Sequence, residues 1–226
     1  MQTVHKAGKR NRTIALKSTE SAENAVGVLE PGVELYGLTM GQFSLIDMIL
    51  AVLRQTGPAH MTVSTWTAAG SEIKTASDLL ESKDVFSLRF IVDRSFKARQ
   101  PEFAEQLVSR FGVDSVRTTR IHAKFVVIRN SLWNIAIRTS MNLNTNPRVE
   151  NFEISDDAAL CDFLDGIADD IFRQPAEENF TAQTYGPALG GKSPRQRQPK
   201  TASAVAVSKF GRMEQTAMDI KAALRK

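Results

Sequence analysis

Residues Thr119–Met141 read TRIHAKFVVIRNSLWNIAIRTSM. Alternation along the first half sets Arg120, His122, Lys124, Val126 and Ile128 on one face and Ile121, Ala123, Phe125 and Val127 on the other. The second half of that strand is therefore apolar on both sides, which is the pattern of a strand covered on both faces. Val116–Arg129 and Trp133–Met141 are predicted as consecutive strands turning near Asn130–Leu132. Centring the turn on Ser131 sets His122 opposite Ser140, Lys124 opposite Arg138 and Arg120 opposite Asn142.

Outward from this hairpin, strands and helices alternate. Val33–Leu38 and Met61–Thr67 read as strands, and Phe86–Asp93 as a third. Gln42–Arg54 reads as a helix, with Ser44, Asp47, Ala51 and Arg54 as a narrow polar stripe and Gly57-Pro58 closing it. A helix around Ser71–Glu81 follows. Another over Pro101–Phe111 has proline in its first turn and Gly112 just past its end. Ser155 is expected to begin a last helix reaching Arg173. Leu160, Phe163, Leu164, Ile167 and Ile171 would face inward, and Asp156, Asp157, Asp162, Asp165 and Asp169 would form a solvated face. The expected fold class is α/β, a mixed central β-sheet flanked by helices on both faces.

Composition sets the bounds. The chain has 226 residues, 42% hydrophobic and 24% charged, enough to bury a full core. No apolar run is long enough to span a membrane, and the basic start leads into no apolar run, so neither a membrane partner nor a secretory signal is expected. One cysteine, Cys161, excludes an internal disulfide and a multi-cysteine zinc site, and it points to a reducing, cytoplasmic compartment. It falls on the apolar side of the last helix and reads as buried. With three histidines (His5, His60, His122), no metal site is expected, and neither is any cofactor.

The net charge of +4 is unevenly spread. Residues 1–18 carry +5 and residues 190–226 carry +7, which leaves −8 on the body between them. The expected organisation is a basic arm over 1–30, a catalytic domain over 31–176, a flexible basic linker over 177–207 and a short helix over 208–226. Basic ends on an acidic body favour a polyanionic partner, chiefly nucleic acid, DNA or RNA.

The hairpin also carries the chemistry. His122, Lys124, Ser140 and Asn142 are expected to converge. Lysine and asparagine supply donors to phosphate oxygens, while histidine attacks phosphorus or passes a proton.

These residues resemble the phospholipase D superfamily, whose pattern is H-x-K-x4-D-x6-G-S-x-N. The matches are His122-Ala123-Lys124 and Thr139-Ser140-Met141-Asn142, and in NTNPRVEN the glutamate that supports the histidine is matched by Glu150. Arg129 stands where the family has aspartate, Thr139 replaces glycine, and the gap between the two elements is three residues longer. The resemblance implies metal-independent phosphodiester cleavage. One histidine forms a phosphohistidine and a second protonates the leaving oxygen. Since this chain has one such motif, the resemblance implies a homodimer with paired motifs across a two-fold axis. His122 would be nucleophile and acid, Lys124 and Asn142 would bind phosphate, Ser140 would assist and Glu150 would orient the imidazole. Arg120 and Arg138 are candidates to extend the anion site.

The expected activity is that of a phosphodiesterase, and specifically a nuclease. The alternative is a module of the same fold that binds nucleic acid or a protein partner with cleavage lost or weak, and a third reading is a phospholipase. His60 reads as structural, and Trp66, Trp133 and Phe125 as core.

Overall fold

The computed structural model describes residues 12–15, 21–144 and 147–173. The linker over 177–207 and the helix over 208–226 lie outside the described residues. An eight-stranded mixed sheet runs through the body in the order β1-β2-β8-β7-β6-β3-β4-β5. Its strands are β1 (Arg12–Ala15), β2 (Glu34–Thr39), β3 (Ala59–Thr65), β4 (Val85–Asp93), β5 (Val116–Thr119), β6 (Lys124–Arg129), β7 (Asn134–Thr139) and β8 (Glu150–Asp156). The helices are α1 (Ala22–Val26), α2 (Leu45–Thr56), α3 (Gly70–Glu81), α4 (Phe96–Arg99), α5 (Pro101–Phe111) and α6 (Ala158–Phe172). Two pieces of the stretch expected to be a basic arm join this body. β1 pairs in parallel with β2, and Ala22, Ala25 and Val26 of α1 enter the core.

The sheet is covered on both faces. Val126, Ile128, Ile135 and Ile137 pack with residues of α1, α2, α3 and α5 in the larger core. On the other face Phe125, Val127 and Ala136 pack with Cys161 and Leu164 of α6. The two-sided apolar pattern of β6 thus has the cause read from sequence: each face has its own helical cover.

Local chemistry sets several boundaries. α2 starts at Leu45, three residues later than expected, because Ser44 caps it. The Ser44 hydroxyl accepts from the Asp47 amide, and the Asp47 carboxylate accepts from the Ser44 amide at 2.8 Å. α5 begins on Pro101 and is closed by Gly112 at φ 78°, a left-handed conformation open to glycine.

Three expectations are corrected. The continuous strand predicted over 116–129 is two strands, because β5 lies parallel to β4 at the sheet edge whereas β6 lies antiparallel between β3 and β7. The intervening residues 120–123 cross the ends of β4 and β3. The Ile121 amide donates to Asp93 Oδ2 (3.3 Å), and the Ala123 carbonyl accepts from the Ser64 hydroxyl (2.8 Å). Second, residues 150–156 form β8, which fills the gap between β2 and β7. α6 therefore starts after Asp157, whose carboxylate accepts from the amides of Ala159 and Leu160 at 3.1 and 3.2 Å.

Third, the hairpin register differs by one. The turn spans four residues, with Asn130 Oδ1 accepting from the Leu132 and Trp133 amides, both at 2.9 Å. Lys124 therefore lies opposite Thr139, and Phe125 opposite Arg138. A one-residue change in register reassigns faces, and Arg138 lands on the α6 side.

The acidic stripe of α6 is also more than a solvated face. Asp165 accepts from Arg89 Nη2 (3.1 Å), from the Thr62 hydroxyl (3.2 Å) and from Arg129 Nη1 (3.3 Å). Asp162 pairs with Arg129 at 2.8 Å and Asp169 with Arg89 at 2.5 Å. Burial alone would lower the pKa of Arg129, but hydrogen bonds and attraction from Asp162 and Asp165 outweigh it and raise the value.

Candidate active site

β2, β3, β4, β5 and β7 end, and β6 and β8 begin, at the same edge of the sheet. Loops gathered outside the carboxyl ends of strands are where open α/β sheets place their sites. Each predicted residue of the motif sits on this edge. His122 rides the crossing segment that caps β3 and β4, and it is exposed. Lys124 opens β6, Ser140 and Asn142 follow β7, and Glu150 opens β8.

Two contacts tie these residues together. Lys124 Nζ lies 3.2 Å from His122 Nδ1 and 3.3 Å from Nε2, so the ammonium sits against the imidazole ring. The Ser140 hydroxyl donates to Glu150 Oε2 and accepts from the Asn151 amide at 3.0 Å. The two pairs face each other electrostatically. Partial burial lowers the pKa of Lys124, and the negative charge of Glu150 raises it in part. Glu150 is thus bonded to Ser140 rather than to the His122 ring it was expected to orient.

Beside them is a small, open cleft lined by Thr39, Phe43, Ser44, Met141, Asn142, Asn144 and Glu150. Among the described residues the side-chain oxygens of Asn142 and Asn144 are buried without a hydrogen-bond partner. Thr139, where the motif it resembles has glycine, is bonded on both sides of Ser140. Its hydroxyl donates to the Asn151 carbonyl (2.6 Å) and accepts from the Met141 amide (2.9 Å). Leu143 is in turn anchored through its amide to the Thr67 carbonyl at 3.2 Å, and its carbonyl accepts from the Ala69 amide at 2.9 Å.

Arg120 is exposed at the start of the crossing segment, two residues before His122. Arg138 is corrected. It points to the α6 side and pairs with Glu153 at 2.7 Å, so it does not extend an anion site around Lys124. Arg129, where the motif it resembles has aspartate, is also turned to that side, in the Asp162 and Asp165 pairs.

One neighbour of His122, and the side chain stacked on that neighbour, had no signal in the sequence. The Trp66 ring, read there as core, lies 5.8 Å from the imidazole centroid, inclined by 60°. The Arg99 guanidinium covers the indole at 3.6 Å from its centroid. Trp66 follows β3 and Arg99 ends α4; only the packing of those two ends brings the indole beside His122 and the guanidinium over the indole. Among the described residues, no group of histidine, cysteine and carboxylate side chains is arranged to hold a metal ion, and no helix is long and apolar enough to cross a membrane.

No protein-family model matches the chain, and no curated protein matches its sequence. Among solved structures, the fold is similar to that of NucT from Helicobacter pylori. That match has a TM-score of 0.45 and 12% sequence identity, and it covers 62% of this chain and 96% of the other. The fold is also similar to polyphosphate kinase from Porphyromonas gingivalis, with a TM-score of 0.47 and 11% identity over 63% of this chain and 26% of that one. The chain spans about a quarter of that kinase's length.

Proposed function

We propose that this protein is a metal-independent phosphodiesterase of the phospholipase D type, acting on nucleic acid as a homodimer. The observation that carries the reading is the Lys124 ammonium held against both nitrogens of His122, with Ser140, Asn142 and Glu150 on the same edge. A phosphoryl group entering between Lys124 and the imidazole supplies the ammonium with a counter-charge and presents phosphorus to the nucleophile. The basic segments at the two ends of the chain, set against an acidic body, supply attraction for a polyanion.

In the first step an unprotonated His122 nitrogen bonds to phosphorus and the bond to the leaving oxygen breaks. The protonated imidazole of the partner subunit's His122 gives its proton to that oxygen. In the second step the same imidazole, now unprotonated, takes a proton from water. The hydroxide so formed attacks phosphorus, and the phosphorus–nitrogen bond breaks. Lys124 and the Asn142 amide group hold the phosphoryl oxygens as charge builds on them. Ser140 fixes the Glu150 carboxylate, which balances Lys124.

The test is nicking of plasmid and single-stranded DNA in excess EDTA, with His122→Ala as control and the mass in solution measured by sedimentation. Cleavage is expected to survive EDTA and to fall by a factor of about 10²–10⁴ or more in the variant, and the protein to sediment as a dimer. Salt-sensitive binding without cleavage would favour the module that binds without cutting. A strict monomer, or cleavage unaffected by His122→Ala, would overturn the mechanism.

A further inference from the structure

We infer that Arg99, held in place by Trp66, forms a second phosphate subsite beside His122, which makes the preferred substrate a strand with at least two consecutive phosphodiesters. The inference rests on the phosphodiesterase reading for its direction and adds the substrate class.

Arg99 is exposed at the rim, yet its position is defined at three points. Its Nε donates to the Ser95 hydroxyl at 3.0 Å, its Nη2 donates to the Trp66 carbonyl at 2.9 Å, and its plane lies over the Trp66 ring. Ser95 is itself fixed, its amide donating to Asp93 Oδ1 at 2.9 Å. The second oxygen of the same carboxylate, Asp93 Oδ2, accepts from the Ile121 amide, one residue before His122. One carboxylate at the end of β4 thus sets both the guanidinium and the segment that carries the nucleophile.

The partners of Arg99 leave its charge unmatched. Both acceptors are neutral oxygens, and among the described residues no carboxylate pairs with it and its Nη1 makes no hydrogen bond. On this body the arginines Arg89, Arg129 and Arg138 are each matched by aspartate or glutamate. A guanidinium stacked on indole is pre-organised, and its planar fork fits the oxygens of a phosphate. Arg99 lies 3.6 Å from the Trp66 ring centroid and that centroid 5.8 Å from the His122 ring, so the cation and the imidazole rest against the same indole. With Arg120 exposed on the crossing segment and Lys124 at its end, the rim offers a cationic track on an otherwise acidic body.

The experiment measures binding alone, so that it stands apart from cleavage. A fluorescently labelled single-stranded DNA 12-mer is titrated with the full-length His122→Ala protein and with His122→Ala/Arg99→Ala, in anisotropy, between 50 and 200 mM salt. Melting curves check that both are folded. Arg99→Ala is expected to weaken binding roughly tenfold and to reduce the slope of log affinity against log salt by about 0.7, the value of one phosphate contact on a single strand. Arg99→Lys is expected to keep the slope but lose part of the affinity, because the charge remains while the fork and the stack are lost. Trp66→Phe is expected to fall between. An unchanged slope in Arg99→Ala, or no binding of the 12-mer by His122→Ala, would overturn the subsite. Failure of the phosphodiesterase reading would show instead as absent cleavage by the wild-type chain in EDTA, whatever these titrations give.

Discussion

Replacing Asp165 by alanine isolates what the acidic side of α6 contributes. Its side chain is 20% exposed and takes three hydrogen bonds, from Arg89, Thr62 and Arg129, whereas Asp162 is 67% exposed and takes one from Arg129. The two arginine side chains are each 31% exposed. In Asp165→Ala the more exposed Asp162 and Asp169 remain as their carboxylate partners, beside the neutral oxygens of Thr62 and Asn134. Breaking a buried pair by removing one partner costs about 3–5 kcal/mol, and exposed pairs contribute about 0–1 kcal/mol. A carboxylate one-fifth exposed lies between these limits, so about 2–3 kcal/mol is expected for Asp165→Ala and about 0–1 kcal/mol for Asp162→Ala. For a domain of this size each kcal/mol moves Tm by about 2–4 °C, giving a loss of roughly 4–12 °C against at most about 4 °C. Calorimetry gives Tm, and urea unfolding checks that m is unchanged. In 1 M salt, where the screening length is about 3 Å, the Asp162 effect should vanish and most of the Asp165 effect persist. Equal shifts for the two variants, or full loss of the Asp165 effect in salt, would show that the stripe is only a solvated face.

Other outcomes follow from the same geometry. Because burial lowers the Lys124 pKa, the alkaline limb of kcat/KM should fall with a midpoint below the ordinary lysine value of about 10.4, and Lys124→Arg should remove that limb. The stability sign is opposite. Between the lowered folded value and the unfolded one the unfolded chain binds more protons, so the burden of this buried ammonium is relieved as pH rises through that window. Comparing unfolding of wild type and Lys124→Met across pH 8–11 checks this. The Cys161 thiol is fully buried, and burial pushes its pKa up to about 12. A disulfide reagent at pH 8 should leave it unlabelled in the folded protein and label it fully in urea. Gly37 faces Phe152 across the β2–β8 ladder, and a Cβ there would collide with the Phe152 ring. Since the ring is buried and packed edge-on to Phe43, Gly37→Ala should cost about 1–3 kcal/mol in chemical unfolding.

Much was legible where local chemistry is decisive. Pro101 and Gly112 bound α5 because one lacks an amide hydrogen and the other tolerates positive φ. The two-sided apolar run of β6 announced helical cover on both faces, and the sheet has it. His122, Lys124, Ser140, Asn142 and Glu150 lie at one end of the sheet, with Lys124 against His122 and Ser140 against Glu150, although the predicted register was off by one. The error was tolerable for the motif because His122, Ser140 and Asn142 lie beyond the ladder, where the loops set their place. It was decisive for Arg138, whose face is set by the ladder itself.

The sequence by itself determined the alternation of elements, the covered character of the central strand, the uneven charge and the residue types of the site, because propensity, periodicity and composition act over a few residues. Only the tertiary structure decided that residues 120–123 break the predicted strand and bridge the ends of β4 and β3, that residues 150–156 enter the sheet between β2 and β7, and that Trp66 stands beside His122 with Arg99 over its ring. Each of these depends on hydrogen bonds and packing between segments far apart in the chain. A strand chooses its neighbour, and an arginine its ring, only once the rest of the core has fixed which surfaces are left to meet.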